Sequence, residues 1–192
     1  MKKKIALLLL TVMAISLVAC GEKDTANNND AAKDGKQAES ALDVLQSTWE
    51  TYEDENKFAA GGGDSQNMVM DEPGKFDAAN TEELNGTLGF PADSAGKIDD
   101  AASLMHMMNA NTFTAGAYHV TNADDVQGVA DALKESIMNR QWMCGFPETL
   151  IIVKVNDNYL VSAFGNGEII ETFKTKLTGV YADATVVYEE SL

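Results

Sequence analysis

Histidine and cysteine are scarce: the 192 residues hold two of each. Two histidines cannot furnish a His-rich metal site, although carboxylates could supply ligands in their place. Two cysteines cannot build a disulfide framework. The chain contains no H-E-x-x-H, no G-x-S-x-G, no C-x-x-C and no EF-hand loop, so the common hydrolase, redox and calcium signatures are missing. Positive charge is also sparse, with 14 Lys and Arg against 30 Asp and Glu, a formal net charge of −16. Such a surface repels nucleic acid and anionic lipid headgroups. It favours solubility, with attraction of cations as the sharper alternative. No apolar run reaches membrane-spanning length. The longest, Ile5 to Val18, covers 14 residues, or about 21 Å as a helix against about 30 Å of hydrocarbon.

What is present begins with that run. Lys2, Lys3 and Lys4 precede it, and Leu17-Val18-Ala19-Cys20-Gly21 closes it. A basic start, a short apolar core and a small residue before the cleavage point make a secretory signal. The box ending in Cys20 predicts a lipoprotein: residues 1–19 are removed, and the Cys20 thiol carries the lipid (a diacylglyceryl group, with palmitate as the expected acyl type). Two acyl chains anchor stably where one does not. The alternative is an ordinary signal peptide with a chance cysteine. The expected location is the cell membrane, lipid-anchored on its extracytoplasmic face. With Cys20 lipidated, Cys144 has no partner within the chain.

Residues 21–40 contain no aromatic residue and no Leu, Ile, Val or Met. Such a segment cannot bury enough apolar surface to offset its ordering entropy. Residues 20–40 therefore read as a lipidated disordered tether with a reach of about 25 Å, and 41–192 as a single α+β domain with its core at about 97–192. Ser40 suits an N-cap with Asp43 at the third helical position. Leu42, Leu45, Trp49 and Tyr52 then predict a helix over 41–57, stopped by Gly61-Gly62-Gly63. Met68-Val69-Met70 reads as a short buried segment, and Thr81 to Leu88 as a short helix ended by Gly89-Phe90-Pro91. Ile98, Ala101, Ala102, Met105 and Met108 fit a helix over 97–109, whereas alternation of Leu104, His106 and Met108 fits a strand; the helix is the expectation. From Thr112 the pattern is a strand to Val120, a helix from Asn122 to about Gln141, a hairpin of 150–155 with 159–164, a helix opened by Gly165-Asn166-Gly167 with Gly179 at its C′ position, and a strand over 184–188. This β-α-β-β-α-β order predicts a ferredoxin-like antiparallel sheet with both helices on one face, plus an N-terminal helical extension.

Chemistry is harder to find. Leu104-Met105-His106-Met107-Met108 is rich in thioethers beside an imidazole, a set that suits Cu(I), and Met143-Cys144 could add sulfur. A helix would splay these side chains about 100° apart, and methionine is an ordinary core filler. Cys144 follows a helix C-terminus, where the dipole disfavours a thiolate; the expectation is an inert, buried thiol. Trp142 and Phe146 are either anchors closing the helix onto the sheet or an exposed recognition patch. His119 near a strand end is expected only to hydrogen-bond. Glu168 and Glu171 read as a solvated helix face, and no pair of carboxylates stands out as an acid and base. No catalytic residue and no resident cofactor or metal is expected.

The stretches LMHMMNANTFTAGAYHV, NRQWMCGFPETL and NYLVSAFGNGE, with the Cys20 box and polar tether, resemble small lipoproteins of Gram-positive anaerobes whose C-terminal soluble domain has no known function. Some of these carry names suggesting a bacteriocin transport accessory role. The resemblance implies a surface location and no established catalytic residues. Residues and resemblance together give the expectation of a non-enzymatic, lipid-anchored binding or accessory module. It would contact a protein, peptide or small ligand through Met105, His106, Met107, Trp142 and Phe146. The alternatives are a soft-metal (copper-type) handling protein and an enzyme with an unrecognised site.

Overall fold

The computed structural model describes residues 35–108, 112–143 and 145–192. The signal segment, Cys20, the tether up to residue 34 and Cys144 lie outside the described residues. Lys36 pairs with Asp43 at 2.8 Å, and the Ala38 N–H donates to Asn156 Oδ1 at 2.7 Å. The last residues before the first helix are thus bonded to the domain.

The strands are β1 (Ala60–Gly62), β2 (Val69–Met70), β3 (Gly74–Phe76), β4 (Ile98–His106), β5 (Phe113–Val120), β6 (Thr149–Val155), β7 (Tyr159–Gly165) and β8 (Thr185–Ser191). The α-helices are α1 (Ala41–Trp49), α2 (Thr81–Leu88), α3 (Val126–Met138) and α4 (Gly167–Val180). The strands form one antiparallel sheet in the order β2-β1-β4-β5-β7-β6-β8, and β3 also pairs with β4. The fold is α+β, as the sequence predicts.

Its layering corrects the ferredoxin-like expectation. Helices α3 and α4 lie on opposite faces. Val129, Leu133 and Ile137 of α3 share a core with Leu150, Ile152, Leu160 and Phe164. Ile170, Phe173 and Leu177 of α4 share another with Ile151, Val153, Val161 and Ala163. The cause is visible in β6 and β7. Leu150, Ile151, Ile152 and Val153 are consecutive and all fully buried. Successive strand residues point to opposite faces, so both faces need cover. Leaving two of these four side chains in water would cost about 3–6 kcal/mol. Helix α1 joins α4 on one face, and α2 joins α3 on the other. The last strand, β8, pairs with β6, while β4 holds the other edge of β5.

Residues 98–106 are a strand, not the expected helix. Strand β4 pairs with β5 from Ile98↔Val120 to Met105↔Thr114, and with β3 and β1 on its other edge. Ala101 packs into the α2–α3 core, and Ala102 and Leu104 into the α1–α4 core. Burial on both faces fills positions that a helical period also fits, which is why the spacing misleads.

Helix α1 is capped as expected: Ser40 Oγ accepts from the Asp43 N–H at 3.0 Å. It ends at Trp49 rather than 57. Glu50, Glu53, Asp54 and Glu55 would otherwise crowd the negative end of its dipole. The triple glycine is not a flexible stop: Gly61 and Gly62 are buried in β1, and a Cβ on Gly62 would run into the backbone at Pro73–Gly74. Met68 and Met70 are exposed rather than buried. Helix α2 has its expected bounds. Helix α3 stops at Met138 instead of about 141, and Gly179 lies inside α4, which is capped at Tyr181. Buried Tyr181 anchors that exit.

Candidate functional site

The ends of β4, β5 and β7 meet the irregular segment after α3 at one end of the sheet. They enclose a cleft of about 170 Å³ lined by His106, Met108, Phe113, Thr114, Trp142 and Phe164, with Thr112, Gly145 and Pro147 completing the wall.

His106 ends β4 on the α1–α4 face. Its ring stacks on Phe58 at 4.7 Å and 8° between planes. Its Nδ1 accepts the Met108 N–H at 3.0 Å, which puts the neutral ring's proton on Nε2. Burial lowers its pKa from the ordinary imidazole value. The cleft therefore carries a neutral imidazole with one nitrogen already engaged.

Trp142 stands on the opposite wall. Its ring packs on Phe164 at 5.2 Å, and the Arg140 guanidinium lies 5.2 Å from its centre. Arg140 in turn donates to the carbonyls of Asn85, at 3.2 Å, and Gly86, satisfying carbonyls in the last turn of α2. Trp142 is half-buried, held from below by the core and from outside by a cation. Beyond it Phe146 is 76% exposed and Met143 91%. Pro147 is buried, and the Glu148 N–H donates to Gly165 O at 2.8 Å. The segment is fixed at both ends while Met143 and Phe146 face solvent.

Met105 and Met107 lie elsewhere. Strand alternation puts them on the face opposite His106. Met105 pairs across from Gly61 and Thr114, and Met107 Sδ lies 2.6 Å from where a Gly61 Cβ would stand. Of the five expected surface residues, His106 and Trp142 share a cleft, Phe146 flanks it, and the two methionines are outside its lining, on the sheet face opposite His106. Met105, His106 and Met107 do not converge as metal ligands. Phe113, Thr114 and Phe164 were not expected in the site. Only strand register brings them there, through Thr114↔Phe164 and Phe113↔Gly165.

His119 Nδ1 lies 2.5 Å from Asp99 Oδ1, and its Nε2 lies 2.6 Å from Asn158 Nδ2. Asn158 Nδ2 also donates to Val120 O at 3.2 Å. Both ring nitrogens are engaged, in keeping with a hydrogen-bonding role. Among the described residues, no group of three or more His, Cys, Asp and Glu could hold a metal ion, and no helix is long and apolar enough to cross a membrane. No protein-family model, curated protein or solved structure matches the chain.

Proposed function

We propose that this protein is a lipid-anchored, extracytoplasmic binding or accessory module. It takes an apolar segment of a protein or peptide partner into the cleft between His106 and Trp142. The observation that carries the reading is the exposure of Phe146 and Met143 beside an aromatic-walled cleft. Aromatic anchors next to a partly desolvated pocket are where binding energy concentrates. The net charge of −16 adds a preference for neutral or basic partners. A non-catalytic role fits the histidines, since His119 has both nitrogens engaged and His106 has one.

The anchor and the cleft are tested separately. Metabolic labelling with a palmitate analogue should mark the wild-type protein and not Cys20→Ser, which should leave the membrane fraction. Unchanged labelling of the variant would contradict the anchor. For the cleft, peptides selected from a displayed random library should carry apolar or aromatic anchors. Trp142→Ala should weaken a selected peptide at least tenfold, about 1.4 kcal/mol. Glu171→Ala, on the far surface of α4, should not weaken it.

A further inference from the structure

Met70 pairs across from Gly61, and Gly61 pairs across from Met105. Residues directly opposite in antiparallel strands point to the same face, with neighbouring strands about 4.8 Å apart. Met70 and Met105 therefore flank Gly61 on one face of the sheet, one on each side. Met107, two residues beyond Met105, lays its sulfur over the same glycine, 2.6 Å from the position a Cβ would take. Any larger residue at 61 would displace that sulfur. Gly61 is thus a floor without a side chain, ringed by three methionines. Met70 is 59% exposed, Met107 43%, and Met105 half-buried, so these side chains are reachable from solvent. Asp71 and Glu72, both exposed, follow Met70 directly.

We propose that Met70, Met105 and Met107 form a sulfur-only site for a soft monovalent cation, Cu(I), above Gly61. Thioethers carry no charge and do not titrate, and they favour soft ions over zinc, magnesium or calcium. Each methionine has three rotatable bonds, enough freedom for sulfurs from β2 and from the end of β4, the two strands that flank β1, to meet over one point. The acidic surroundings raise the local concentration of cations. His106 is not a ligand, because it occupies the opposite face with its Nδ1 bonded to the Met108 N–H. The site shares none of the residues that line the peptide cleft, although Met105 lies across from Thr114 of its wall.

The test is an anaerobic Cu(I) titration of the Cys20→Ser/Cys144→Ser protein against bicinchoninate as competitor. One Cu(I) per chain is expected. Met70→Leu and Met107→Leu, apolar swaps at exposed positions, should each weaken binding at least tenfold, and Met70→Leu/Met105→Leu/Met107→Leu should abolish it. His106→Gln and Trp142→Ala should leave it unchanged, while Met70→Leu should leave peptide binding unchanged. X-ray absorption at the copper edge should find sulfur neighbours alone. The proposal is overturned if the cysteine-free protein binds no Cu(I), if either single leucine variant binds as tightly as its parent, or if the copper shell contains nitrogen.

Discussion

Asp64 is 97% buried and ionised, and its carboxylate accepts N–H bonds from Gln66, Asn67 and Asp77 at 2.9 Å, with a further one from the Asn67 amide at 3.0 Å. Burial alone would raise its pKa; these donors outweigh burial and hold it below the ordinary carboxylate value. Unfolding releases the group to protonate more readily. Its contribution to stability is present above the ordinary carboxylate pKa and lost as pH falls through the depressed folded value. Asp64→Asn should cost about 1–3 kcal/mol in urea denaturation at neutral pH, because its amide oxygen could still accept but its NH2 would face an N–H donor; an unchanged midpoint would contradict this. At His106 burial also lowers the pKa. The unfolded chain takes that proton first, so the contribution is present above the ordinary imidazole value of about 6.5 and lost as pH falls through the folded value. An NMR titration should place the His106 midpoint below that of a free imidazole, and Phe58→Ala should raise it. A wild-type midpoint at or above the free value would contradict the burial.

At the scale of elements, the chain was legible where apolar residues faced one way. The hydroxyl cap at Ser40, the bounds of α2 and the 156–158 hairpin turn follow from local chemistry. Strand β4 did not, because Ala101, Ala102 and Leu104 are buried on two faces and erase the period of two. The placement of α3 and α4 was partly legible: the unbroken run Leu150-Ile151-Ile152-Val153 already demanded cover on both faces. The opposite-face arrangement predicts that Leu133→Ala in α3 and Phe173→Ala in α4 act independently. Each should cost about 2–5 kcal/mol, and their effects should add to within about 0.5 kcal/mol. A coupling above about 1 kcal/mol would mean that the two helices share a core.

At the scale of the whole molecule, the candidate site was legible in its residue types and not in its assembly. Trp142 and His106 are 36 positions apart in sequence, and strand register, with the packing of Trp142 on Phe164, brings them to one sheet end. The same register divides the methionines from the histidine, a separation invisible while β4 reads as a helix. The molecule is a two-sided α+β domain, proposed to hang from the membrane by Cys20 and to offer its aromatic cleft to an apolar segment. The most direct measurement is a chemical-shift map of the isotope-labelled Cys20→Ser protein with its best library-selected peptide. Shifts should cluster at Thr112–Thr114, Trp142 and Gly145–Pro147, and vanish in Trp142→Ala. Shifts confined to another face, or a library that enriches no peptide, would contradict the cleft as the binding surface.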